Sequence, residues 1–118
     1  MSISKYFLEL QVITQLYHWN TKSYPRHIAS GQLYTTLVTL VDKFMETYMG
    51  KYGREKNVNG EIDYVVLNDT EIIEYFKYFK NYLESTISTR FKNDTDLINL
   101  KDEMLQNINT TLYLFTLN

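Results

Sequence analysis

Cysteine is absent from this 118-residue chain. That removes disulfides, thiolate metal ligands and a cysteine nucleophile together, and it fits a reducing, intracellular compartment. No window approaches the roughly 18 consecutive apolar residues of a membrane span, and Met1 to Leu10 holds no apolar run of signal-peptide length. The expectation is a cytoplasmic protein with no membrane partner, so the sequons at Asn68, Asn93 and Asn109 lack a secretory context. A concentrated basic patch is missing too: 12 Lys and Arg are scattered among 14 Asp and Glu, for a net charge of −2. Counterion release needs clustered cations, so nucleic acid is not the expected partner. The 4 glycines never form a phosphate-binding loop, and no serine stands in a nucleophile elbow. Hydrolase and nucleotide-binding readings are left without support. Alanine occurs once, at Ala29, against 11 tyrosines. Tyr, Asn, Ile and Lys have AT-rich codons, so the composition fits an AT-rich genome such as that of a virus, a parasite or some bacteria; a viral protein would work in its host cell or in the virion.

What is present is a composition that folds. Apolar residues make up 44% and charged residues 22%, close to globular averages, and the length suits a single domain, 1–118, with a core of its own. Tyr6, Phe7, Leu10, Ile13 and Tyr17 recur at three- and four-residue spacing, which predicts a first helix over about 3–21. Pro25 interrupts that pattern and is tolerated in a first turn, so a second helix is expected over 26–52, with the stripe Leu33, Leu37, Val41, Phe44, Met45, Tyr48 and Tyr52. Asn68 or Asp69 can cap a third helix, 69–91, whose stripe is Ile72, Phe76, Phe79, Leu83 and Ile87; Asp94 caps a fourth, 94–116. Lys51, Arg54 and Lys56 read as a solvated helix terminus.

Topology turns on the stretch 54–69, which holds Gly60, several Asn and the short apolar patch Tyr64 to Leu67. A 26-residue helix is roughly 39 Å long, and 16 extended residues reach roughly 53 Å. The connection can therefore travel the whole bundle and set the second and third helices parallel. This predicts an all-α, ferritin-like four-helix bundle with one long B–C crossover. If Tyr64 to Leu67 is instead a helical turn, the topology is a plain up-down bundle.

Both histidines, His18 and His27, fall near the first turn, while Asp42 and Glu46 are four apart and share a face of the second helix. Imidazole with carboxylate suits iron and similar divalent metals. His27 and Asp42 are fifteen residues apart, roughly 22 Å along one helix, so one subunit cannot bring them to one metal. If the four residues form one site, two chains meet about a two-fold axis, with the histidines of one facing the carboxylates of the other, which gives two equivalent sites. At ~100° per residue Asp42 and Glu46 sit on the shoulder of the second helix, near Val38 and Met49, where a partner can reach them.

These residues resemble the Dps family of mini-ferritins: His18-Trp19-Asn20 near the end of the first helix, a second histidine at His27, and Asp42 and Glu46 in Thr39-Leu-Val-Asp-Lys-Phe-Met-Glu-Thr. The resemblance covers roughly residues 10 to 53. It implies iron as the bound metal, His18 and His27 as ligands from one subunit with Asp42 and Glu46 from its neighbour, ferroxidase activity toward iron(II) with peroxide or oxygen as oxidant, and a homodimer or larger homo-oligomer. The chain departs from that family in a shorter stretch between the histidines, in the missing small helix of the B–C connection and in its lack of a lysine-rich N-terminal tail. DNA binding through such a tail is therefore not implied. The alternative is a non-enzymatic ferritin-like oligomer with a structural, protein-binding or small-ligand role. Tyr75, Tyr78 and Tyr82 on the third helix are expected at a subunit contact or in bundle packing, with stacking against a ligand or protection from radicals as other possibilities.

Overall fold

The computed structural model describes residues 2–62 and 65–117, and among them every regular element is helical. The elements are α1 (Ile3–Asn20), α2 (Tyr24–Tyr52), α3 (Glu71–Asn81), a π-helical segment (Tyr82–Ile87), α4 (Ser88–Arg90) and α5 (Thr95–Leu114). Since α3, the π segment and α4 follow without a break, they form one rod, and the described residues make four rods, extending 43 × 28 × 21 Å. The all-helical expectation holds.

Local chemistry explains where the rods begin. Ser23 accepts a hydrogen bond from the Arg26 amide at 3.3 Å, so α2 starts at Tyr24, before Pro25. Ahead of α3, the Asn68 side chain accepts from the amides of Thr70 and Glu71, and Glu71 accepts in return from the Asn68 amide. That reciprocal box makes Asn68 the cap, one of the two expected, with α3 regular from Glu71, and leaves Asp69 for other work. Asp94 does stand at the N-cap of α5, but its side chain caps nothing there. It binds Lys51 at 2.9 Å and accepts from the Tyr52 hydroxyl at 2.6 Å, tying the end of α2 to the start of α5. Lys51, exposed at the end of α2 like Arg54 and Lys56, also stands 2.8 Å from Asp96 and so bridges two carboxylates. Tyr52, expected in the core stripe, is 56% exposed for the same reason.

The contacts at each end fix the directions. Glu55, just past α2, accepts from the Ser2 hydroxyl at 2.8 Å and the Ile3 amide at 3.1 Å, so α1 begins where α2 ends. α1 has no acidic residue in its first turn and no local side-chain cap; Glu55 supplies the missing negative charge. Burial alone would raise its carboxyl, but hydrogen bonds from Ser4, Ser2 and Ile3 outweigh that and hold it below the ordinary range. At the opposite end the Tyr17 hydroxyl donates to Asp69 at 2.7 Å, and Arg26 donates to the Asp69 carbonyl at 2.8 Å. α3 therefore begins beside the end of α1 and the start of α2. Its rod finishes at the other end, where Arg90 donates to the Tyr48 hydroxyl at 3.1 Å. It follows that α2 and α3 run parallel, and that the connection between them returns along the length of the bundle. Of the apolar patch expected there, Tyr64 lies outside the described residues, Val65 and Val66 are exposed, and Leu67 packs on the core without forming a helical turn. α5 runs back antiparallel to α2, ending with Phe115 packed on Tyr17 at 5.6 Å.

The core joins Phe7, Leu10, Ile13 and Tyr17 of α1 to Leu33, Leu37, Leu40, Val41 and Phe44 of α2, and both to the third rod and α5. Each fully buried Leu or Phe contributes about 1.5–3 kcal/mol. Within the third rod the buried positions Phe79, Leu83, Ile87 and Phe91 are four residues apart three times running. In an α-helix each four-residue step overshoots a turn by about 40°, so three would swing the stripe by about 120° out of the core. The π segment absorbs that surplus with its wider turn, and the Ser88 hydroxyl donates to the Leu83 carbonyl five residues back at 3.1 Å. A uniform helix over 69–91 is corrected accordingly.

Candidate metal centre

His18 lies in the last turn of α1 and His27 in the first turn of α2, across a three-residue connection. The tight turn brings the two side chains face to face, with ring centroids 4.0 Å apart and planes 12° from parallel. Each ring also reaches across to the other residue's backbone: His18 Nδ1 bonds the His27 carbonyl at 2.7 Å, and His27 Nδ1 bonds the His18 carbonyl at 2.8 Å. A carbonyl oxygen only accepts, so both Nδ1 atoms carry the proton. In the neutral rings both Nε2 atoms then keep a lone pair.

The floor under His18 is a glycine. A Cβ built on Gly31 would stand 2.7 Å from His18 Cε1 and 3.0 Å from Nδ1. The ring occupies space that any other residue would take, and Ser30 beside it turns its hydroxyl to the Arg26 carbonyl at 2.7 Å. Trp19, the residue after His18, is 63% exposed. Asn20 donates to the Leu16 carbonyl at 2.8 Å and closes the end of α1.

Asp42 and Glu46 are both exposed on α2, one turn apart. The Glu46 carboxyl is pushed above its ordinary value of 4.5, first by a hydrogen bond shared with Asp42 and then by repulsion from it. A shallow notch of about 450 Å³ beside Asp42 is lined by Leu8, Gln11, Val38, Thr39, Val41, Asp42 and Met45. Leu8 is 45% and Val38 37% exposed, so Asp42 borders an apolar strip, while Glu46 faces a second notch with Lys43, Thr47 and Asp96.

The structure thus brings His18 to His27 and Asp42 to Glu46, and leaves the two pairs at different levels of α2. Among the described residues no group of three or more His, Asp or Glu side chains is placed to hold a metal ion. The family of unknown function DUF5856 matches residues 18–115, which include all four of these side chains. The chain belongs to DUF5856. The chain is also similar to the uncharacterised 14.6 kDa protein of the mobD–ri intergenic region of Enterobacteria phage T4. It is 42% identical over 53 residues, which cover 42% of this chain and 41% of the phage protein. No solved structure matches. No helix among the described residues is long and apolar enough to cross a membrane.

Gly31 and Ser30 escaped sequence reasoning. A glycine inside a predicted helix is itself a signal, because it costs about 1 kcal/mol against alanine and so asks for a packing reason. Its position four residues after His27 placed it one turn up the same helix face.

Proposed function

We propose that this chain is a ferritin-like protein of mini-ferritin type, which binds iron(II) and oxidises it at sites shared between two copies related by a two-fold axis. The observation that carries the proposal is the reciprocal clasp of His18 and His27. A backbone carbonyl on Nδ1 fixes the tautomer and orientation of an imidazole that ligates through Nε2, and here both rings are held in that way. Asp42 and Glu46 supply the complementary half: a cation beside them relieves the repulsion that raises Glu46, and hard carboxylate oxygens favour iron(III) once it forms. Because fifteen residues of helix separate the two halves, the histidines of one copy face the carboxylates of the other. The exposed Leu8 and Val38 beside Asp42 support a partner on that face, and the parallel run of α2 and α3 supports the ferritin-like topology.

Iron(II) is the substrate. With peroxide as oxidant, two iron(II) ions each give up one electron, the O–O bond breaks, two protons are taken up and two waters leave. The protein's part is to bind both ions with fixed imidazoles and to balance their rising charge with carboxylates. The phage relative supports a viral setting, in the host cell or the virion. Anaerobic iron(II) titration by calorimetry tests the reading: saturable binding that disappears in His18→Ala is expected, with a dimer or larger species by light scattering. A titration without binding, or unchanged oxidation in His18→Ala, refutes it.

The same clasp favours a second reading. Stacked rings and two carbonyl bonds also tie α1 to α2, and a non-enzymatic ferritin-like oligomer uses them for that alone. A stable oligomer in which His18→Ala lowers the melting temperature, with no iron bound by either protein, decides for it.

A further inference from the structure

The iron reading makes no use of the tyrosine face of the third rod. There α1 and the π segment border a cavity of about 310 Å³ lined by Tyr6, Tyr78, Tyr82, Thr86, Ile87 and Arg90, at the lower end of the small-molecule range. Its aromatic wall, the π turn that carries part of that wall and the cation at its rim bear on what it can hold.

Tyr6 and Tyr82 stack at 4.5 Å with planes 26° apart, and Phe79 holds Tyr82 from the core side at 5.3 Å. The cavity therefore has a fixed aromatic wall. Tyr82, Thr86 and Ile87 all belong to the π turn, a rare geometry that recurs at functional sites. The widened turn sets Tyr82 and Thr86, four residues apart, along one wall. Arg90 is immobilised by its bond to the Tyr48 hydroxyl, with its guanidinium 5.6 Å from the Tyr48 ring centroid and 5.1 Å from that of Phe91. Among the described residues no carboxylate lies within ion-pair distance of Arg90. Of the five N–H donors of its guanidinium, the Tyr48 hydroxyl takes one.

We propose that this cavity binds a small aromatic acid, its ring against the Tyr6–Tyr82 wall and its anionic group on Arg90. A planar guanidinium takes a carboxylate or phosphate through two parallel bonds, and ring stacking orients the rest. Burial raises the Tyr82 hydroxyl, so it stays protonated and puts no negative charge beside the anion. This site is separate from the histidine clasp and does not rest on the iron reading.

The test is titration of the full chain with 4-hydroxybenzoate, and separately with uncharged 4-hydroxybenzamide and with inorganic phosphate, followed by amide NMR shifts. Expected are saturable shifts confined to Tyr6 and residues 78–90 with the acid, and binding about tenfold weaker for the amide and for phosphate. Arg90→Gln should weaken the acid about tenfold and leave the amide unchanged. No saturable shift at millimolar acid, equal binding of acid and amide, or phosphate binding as tightly as the acid overturns the proposal. If Arg90→Gln fails to fold, the comparison of the three ligands on the unmodified chain still decides.

Discussion

Replacing Gly31 by alanine tests the packing that holds His18. In an unconstrained helix interior the change stabilises by about 0.5–1 kcal/mol, because glycine loses more backbone entropy on folding. At Gly31 the new methyl would stand 2.7 Å from His18 Cε1 and 3.0 Å from Nδ1, against an ordinary carbon–carbon approach of about 3.5–4.0 Å. The ring must retreat by about 1 Å, which breaks its 2.7 Å bond to the His27 carbonyl and the 4.0 Å stack. Overpacking costs about 1–3 kcal/mol and a lost hydrogen bond about 0.5–1.5. The net expectation is destabilisation by about 2 kcal/mol, a fall in Tm of roughly 8 °C for a chain of this size. Gly50, also in α2, has nothing within 4 Å of its built Cβ, so Gly50→Ala should stabilise slightly and serves as the control. Calorimetric melts of both variants, with imidazole NMR on Gly31→Ala, read the outcome. A Gly31→Ala protein as stable as Gly50→Ala, with His18 resonances unmoved, would refute the reasoning.

Tyr17→Phe removes a hydroxyl that donates to Asp69 at 2.7 Å and accepts from Arg26 at 3.2 Å; urea unfolding should show a loss of about 1–2 kcal/mol with an unchanged m value. Tyr52 and then Lys51 hold Asp94 below its ordinary 3.8, so its contribution is present above that value and lost as pH falls through the lower folded one. Asp94→Asn should therefore melt below the unmodified chain at neutral pH, with the gap closing in acid. Glu46 has the opposite sign: its folded value is raised above 4.5, so stability declines as pH climbs from 4.5 through that raised value. Glu46→Gln should melt higher than the unmodified chain at neutral pH without metal and no differently in acid, and iron(II) should shift the Glu46 titration downward by NMR.

The rods were legible because burial leaves a period in the sequence: Phe7, Leu10, Ile13 and Tyr17, or Leu33 and Leu37, face inward where their spacing put them. Arithmetic on chain length allowed a parallel course of α2 and α3 but left the plain up-down bundle open; the contacts of Asp69 and Arg90 at the two ends of the third rod decide between them. The end contacts were not legible. Tyr52 and Lys51 carry no mark that Asp94 will claim them, since that pairing joins residues over 40 positions apart. The π turn did leave a trace, in the run Phe79, Leu83, Ile87 and Phe91 at spacing four, but a stripe read by eye tolerates that drift. Sequence placed His18 and His27 near one turn; only coordinates show each ring bonded to the other's backbone. Gly31 is informative solely once the ring above it is seen.

The most direct test of a site shared by two chains is complementation. Two inactive variants, His18→Ala/His27→Ala and Asp42→Asn/Glu46→Gln, are co-expressed, purified together and assayed for iron(II) oxidation with peroxide. In a two-fold pair, a mixed dimer carries one site with both histidines and both carboxylates and one site with neither, so random pairing restores about a quarter of the unmodified rate. Recovery near that fraction, with each variant inactive alone, is the predicted result. A mixed preparation no more active than either variant would contradict the shared site.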